Sequence, residues 1–162
     1  MSNSTPCTAL SARDVMLTNV VTVSYAAPLS EVERILVENR ISGMPVVNEA
    51  GHVVGVVSVK DLIERYAEDP DSRPRRGSGY YHMSVADMDD ADFESYELPA
   101  EAEETAESLM NSDILAVDAD ATLAEVARQM VDRRVHRLLV ADGGKFVGIV
   151  TTLEVLQVIA AK

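Results

Sequence analysis

Hydrophobic and polar positions follow one pattern that occurs twice along the chain. Gly55-Val56-Val57-Ser58-Val59-Lys60-Asp61 and Gly148-Ile149-Val150-Thr151-Thr152-Leu153-Glu154 each run from a glycine through β-branched residues to a hydroxyl residue. An acid follows three positions after that hydroxyl. The apolar run suits a buried strand, and the hydroxyl–acid pair is the capping-box signature that opens a helix. Each copy therefore predicts a strand running straight into a helix. Backbone N–H groups and the helix dipole favour anions at such junctions, so ligands are common there.

The flanking patterns agree with this. Ala12 to Met16 reads as the start of a short helix and Val20 to Ser24 as a short strand. Pro28 fits the first turn of a helix. Leu29, Val32, Ile35 and Leu36 line one face of it, with Glu31, Glu33, Arg34 and Glu38 outside. Ile41-Ser42-Gly43 ends that helix. Met44 to Val47 and Val53 to Val57 form a hairpin around Asn48–Gly51, and Ser58 to Tyr66 is the closing helix. The second half repeats the order. Ile114 to Val117 is a strand, and Thr122 and Glu125 form a capping box before a helix that buries Leu123, Val126, Ala127 and Met130. Val135 to Ala141 and Phe146 to Val150 pair around Asp142-Gly143-Gly144, and Glu154 to Ala160 closes the chain.

The two halves align residue by residue. Met16 matches Met110, Val23 matches Val117, Leu29 matches Leu123 and Arg40 matches Arg134, all at an offset of 94 (110 − 16). One residue fewer in the second hairpin turn makes the offset 93 from Gly55 and Gly148 onward. A match this long is a duplicated supersecondary unit. The expected architecture is α/β (α+β): two β-α-β-β-α repeats, 12–66 and 105–162, after a tail at 1–11. A long acidic connection, 67–104, joins them, with a short helix within Pro99 to Ser108.

Composition narrows the function. Apolar residues make up 47% and aromatics 4%, so the core is aliphatic. A net charge of −13 argues against broad DNA or RNA binding, which rests on neutralising phosphates. One cysteine, Cys7, permits no intrachain disulfide. No run reaches the roughly 18 apolar residues of a membrane span, and no signal peptide is read, so the expectation is a cytoplasmic protein with neither nucleic acid nor membrane as partner. The three histidines, His52, His82 and His136, sit in no motif with a nucleophile. The expectation is accordingly no enzyme and no catalytic residues. Asp87, Asp89, Asp90 and Asp92 miss the EF-hand pattern, since Asp92 stands where the loop needs glycine. They read as a solvated run, and Arg73, Arg75 and Arg76 read as linker.

At this point the residues resemble a known family. Asp14-Val15-Met16, Ile41-Ser42-Gly43-Met44-Pro45-Val46-Val47, Val135-His136-Arg137-Leu138-Leu139-Val140 and the two closing motifs look like a tandem pair of cystathionine-β-synthase (CBS) domains, a Bateman module. The resemblance implies repeats related by a pseudo-two-fold axis, with clefts that take adenosine compounds. It implies a stand-alone regulatory module that senses AMP, ADP or ATP, pairs into a homodimer and signals to a protein partner. S-adenosylmethionine, NAD or Mg²⁺ are the alternative ligands, and a ligand-free dimeric scaffold is the alternative function.

Site residues follow from the same resemblance. Ser58 and Asp61 match the ribose motif, where a carboxylate accepts from both ribose hydroxyls; the same pair also reads as a plain helix cap. Thr151 and Glu154 occupy the equivalent positions, with glutamate in place of aspartate. His136 and Arg137 match a phosphate-contacting pair, where the first repeat has Ser42 and Gly43. Thr22, Ile41, Met44 and Pro45, with Ala116, Val135 and Leu138, line adenine slots in the resemblance or serve as ordinary core.

Overall fold

A computed structural model describes residues 10–66 and 104–161 of the 162-residue chain. The readings placed on Cys7, His82, the arginines at 73–76 and the aspartates at 87–92 lie outside these residues. The described residues form two compact units, one built from 21–66 and 104–114, the other from 10–20 and 115–161.

The first unit begins with β1 (Val23–Ser24), α2 (Leu29–Asn39), β2 (Gly43–Val47), β3 (Val53–Ser58) and α3 (Val59–Tyr66). α1 (Ala12–Val15) precedes them in the chain but belongs to the other unit. β2 is central, parallel to β1 and antiparallel to β3. Pro45 is tolerated there because β1 reaches only the positions opposite Val46 and Val47. Pro28 stands just before α2 rather than in its first turn. Leu29, Val32 and Leu36 turn inward to Val23, Met44, Val46, Val57 and Leu62. Glu33 departs from the expected outer face: it is half-buried, its Oε1 is shielded from solvent, and desolvation raises its pKa.

α2 stops earlier than the glycine at 43 suggests. Arg40 takes the left-handed conformation (φ 51°), its N–H donates to Val37 and that of Ile41 to Leu36. Arg134 (φ 54°) and Val135 repeat this after the second long helix, donating to Val131 and Met130. Both ends are Schellman motifs with arginine where glycine is usual.

After α4 (Ala106–Leu109), the second unit holds β4 (Ala116–Asp118), α5 (Leu123–Arg133), β5 (Arg137–Asp142), β6 (Lys145–Thr151) and α6 (Thr152–Ala160). The sheet order β4-β5-β6 copies the first unit. Gly143 and Gly144, both at positive φ, make the two-residue hairpin turn. Leu123, Val126 and Met130 of α5 are buried, while Ala127 is half-exposed.

The repeats exchange their opening helices. α1 packs in the unit of the second repeat: the N–H groups of Ala12 and Arg13 donate to the carbonyls of Ala121 and Ala119, both at 2.8 Å. α4 makes the equivalent bonds in the other unit, Ala106 to Ala27 at 2.8 Å and Glu107 to Tyr25 at 2.9 Å. A four-residue helix does not persist alone in water, and these bonds satisfy its otherwise orphaned first donors. Just beyond each helix the chain pairs with the outer strand of that sheet. Leu17 exchanges two backbone hydrogen bonds with Ile149, at 2.8 and 3.0 Å, and Asn111 two with Val56, at 2.8 and 2.9 Å.

Gly148 and Gly55 permit this approach. A Cβ on Gly148 would lie 2.5 Å from the Leu17 carbonyl oxygen, and one on Gly55 would lie 2.6 Å from Met110 Sδ and 2.9 Å from the Asn111 carbonyl oxygen. We predict that both Gly→Ala substitutions destabilise, by about 1–3 kcal/mol as overpacked sites do. Gly148→Ala is the costlier, because its first clash is with backbone whereas that at Gly55 is with a flexible methionine. Urea unfolding of the two variants checks the order, and equal or reversed losses would refute the account.

Candidate functional site

Each repeat ends its hairpin at a strand–helix junction, and the two junctions share one backbone frame. Gly43 pairs with Ser58 at the end of β2–β3, and Arg137 with Thr151 at the end of β5–β6. The carbonyl preceding each first strand caps the helix: Ser42 accepts from the N–H of Val59 at 3.0 Å, His136 from that of Thr152 at 2.9 Å. β-Branched residues carry each strand to its end, and the hydroxyl–acid pair then turns the chain into the helix.

At the first junction Asp61 Oδ2 accepts from the Ser58 N–H at 2.7 Å and from its hydroxyl at 2.6 Å. The Asp61 N–H returns a bond to Ser58 Oγ at 3.3 Å. Ser42 and Ser58 are fully buried. At the second junction Glu154 Oε2 accepts from the Thr151 N–H at 2.9 Å and also from the Thr151 hydroxyl. The two pairs are thus helix caps in their hydrogen bonding.

Two further pairs of this kind act as internal references. Ser11–Asp14 opens α1 and Thr122–Glu125 opens α5, with the same bonds from N–H and hydroxyl to one carboxylate oxygen. Both of these carboxylates lie in water, and the bonds from the capping backbone and hydroxyl hold their pKa values below the ordinary range. Asp61 behaves in the opposite way. Burial raises its pKa, outweighing the same two bonds from Ser58. The Ser11–Asp14 pair carries the same hydroxyl–acid spacing in the sequence, so this comparison was available there, but burial was not.

The remaining candidates divide between the units. Met44 and Leu138 project to the sheet faces opposite Ser58 and Thr151, as alternation along a strand requires, and both are fully buried. Met44 belongs to the core cluster, with Ile41 half-buried against it. Pro45 shares the face of Gly43 and Ser58 and is buried. Thr22 is half-buried before β1 and Ala116 is exposed on β4. Val135 is buried, His136 exposed and Arg137 half-buried at the start of β5. Among the described residues no group of three or more His, Cys, Asp or Glu side chains could hold a metal ion, and no helix is long and apolar enough to cross a membrane.

Comparison with known proteins places this geometry. The gamma-3 subunit of the 5′-AMP-activated protein kinase from Bos taurus is 28% identical over 140 residues, covering 86% of this chain and 24% of that one. The chain spans 16% to 31% of the length of this and two other curated relatives. CBSX2, solved in complex with AMP, superimposes with a TM-score of 0.66 at 22% identity, covering 93% of this chain and 96% of that one. The CBS domain of the bacterial CNNM/CorC family Mg²⁺ transporter, solved in complex with ATP, gives 0.66 at 22% identity over 96% and 91%. The family model of the CBS domain matches residues 12–68 and 106–161. Matched twice over most of its length, the chain belongs to the CBS domain family and carries that domain as a tandem pair.

Proposed function

We propose that this chain is a regulatory module that binds an adenine nucleotide, AMP, ADP or ATP, and grips the ribose with Asp61. The observation that carries this is that the carboxylate is half-buried and desolvated enough to raise its pKa. A helix cap needs the hydrogen bonds but gains nothing from desolvation, as Asp14 and Glu125 illustrate. Asp61 keeps the same bonds at an electrostatic cost. They fall on Oδ2, which leaves Oδ1 as an acceptor for donors from outside the chain, and paired ribose hydroxyls are such donors. The similar folds solved with AMP and with ATP support adenine nucleotides as the ligand class. Regulation follows if the ligand prefers one of two conformations, since only differential affinity shifts an equilibrium.

Self-association belongs to the same proposal, with α6 as the contact and a second copy as its occupant. Leu153, Leu156 and Ile159 share one side of this helix, 54% to 59% exposed, and α6 has no buried residue. Val131 on α5 is 74% exposed. None of these side chains is charged. A chain of net charge −13 meets its own copy with least repulsion across an uncharged surface, because a two-fold axis sets like against like. In the first repeat Lys60, ion-paired with Glu64, holds the place of Leu153.

Asp61→Ala removes an acceptor of charge-assisted hydrogen bonds worth about 1.5–3 kcal/mol each. Titration calorimetry with AMP, with and without Mg²⁺, should then show affinity falling by about 100-fold or more; unchanged affinity would remove the ribose assignment. Asp61→Asn should lose affinity yet fold more stably at neutral pH. The folded state holds the Asp61 proton more tightly than the unfolded chain. The resulting stability is therefore complete below about pH 3.8, the ordinary value, and is lost as pH rises through the raised folded pKa. Urea melts of the wild type and Asp61→Asn should diverge across that window and stay apart above it; parallel curves would contradict the burial argument. Leu156→Glu should yield a monomer by sedimentation, and a surviving dimer would move the interface elsewhere.

A further inference from the structure

We infer that two copies of the chain meet second repeat to second repeat, with α6 of one copy set against α6 of the other. This rests on the reading of α6 as the surface of self-association and adds which face of the partner covers it.

A helix that is apolar all round belongs in an interior. α6 has that composition, with Glu154 as its one ionisable residue, and the Glu154 carboxylate is engaged at the cap. Val155 and Val158 are half-buried, while Leu153, Leu156 and Ile159 are exposed. Spaced three apart, these three form one row along the helix. The chain itself therefore covers only part of a helix whose composition calls for cover all round.

The first repeat offers no equal face. α3 is the counterpart of α6, yet it carries Lys60, Asp61, Glu64 and Arg65. Lys60 stands where the second repeat has Leu153, and Glu64 where it has Gln157. Lys60 and Glu64 are ion-paired at 3.5 Å. Ile63 and Val37 stand for Leu156 and Val131 and are less exposed, at 48% and 45% against 54% and 74%. A partner's α6 laid on α3 would strip water from Lys60 and Glu64, and the row of Leu153, Leu156 and Ile159 has no polar side chain to offer in return. Laid on its own copy, the row meets the same uncharged row. Apolar burial favours both arrangements, so desolvation of the ion pair decides between them.

Leu156 is the middle of the row, so in a two-fold pair of this kind it lies nearest the axis and faces its own copy. The test exchanges charge at that place and reads association by sedimentation, with one chain of each mixture carrying a fluorescent label. Leu156→Lys and Leu156→Glu should each be monomeric alone, because each sets like charges together. Mixed in equal amounts they should form a dimer, since lysine then faces glutamate. Ile63→Lys mixed with Leu156→Glu should leave the Leu156→Glu chain monomeric. Thermal melting shows that each variant folds, as changes at exposed positions allow. A dimer of Leu156→Glu with Ile63→Lys would overturn the inference, because it sets the second repeat on the first. So would a mixture of Leu156→Lys and Leu156→Glu that stays monomeric. In both cases loss of the dimer in Leu156→Glu alone would still uphold α6 as the contact. A wild-type monomer, or a dimer that survives Leu156→Glu, would end that reading and this inference with it.

Discussion

At Gly148 the backbone of Leu17 comes so near that a single methyl group would stand 2.5 Å from its carbonyl oxygen. The rest of the architecture depends on this approach and its counterpart at Gly55. A segment that passes this close can bond the outer strand of a sheet already complete on its other side, and it carries α1 or α4 into place. Those helices are too short to exist unsupported. Their position, and the exchange of opening segments between repeats, follows from glycine at one place in each sheet. Arg65, ion-paired with Glu104, adds a tie between α3 and the residues that lead into α4.

The capping pair appears four times among the described residues, at Ser11, Ser58, Thr122 and Thr151, and each time one carboxylate oxygen accepts from both the N–H and the hydroxyl of the capping residue. Its hydrogen bonds lower a carboxylate pKa when the group stays in water, as at Asp14 and Glu125. At Asp61 burial prevails, and the sign reverses. One local motif thus yields a structural cap in one setting and a chemically distinctive carboxylate in another. The difference arises from what surrounds the motif and not from the motif itself.

Duplication followed by divergence has left the backbone frame intact while changing its lining. Ser42 and Gly43 stand where the second repeat has His136 and Arg137, and Lys60 where it has Leu153. The strand pairing, the Schellman ends and the exchanged helices are the same in both repeats. Charge and side-chain volume are not, so equivalent positions offer different chemistry on one scaffold.

The order of elements, the duplication and the capping pairs were legible in the sequence, because periodicity, turn residues and caps act over a few residues and leave their mark locally. So were the inward positions of Leu29, Val32 and Leu36 and of their partners in α5. Other features belong to the tertiary structure. α2 ends at Arg40 in a left-handed turn, since paired backbone bonds compensate what the side chain disfavours. Glu33 is half-buried on a face that looked exposed. Met44 and Leu138, which the resemblance sets in adenine slots or in ordinary core, point to the side of their sheets opposite Ser58 and Thr151. The opening helices cross to the other unit, and Asp61 is desolvated where Asp14 is not. The end of α2 and the facing of Met44 and Leu138 are settled by bonds and alternation within one element, but the burial of Glu33 and Asp61 and the crossing of the helices turn on which distant segment comes to lie against a residue, and such long-range contacts are not set by neighbours along the chain.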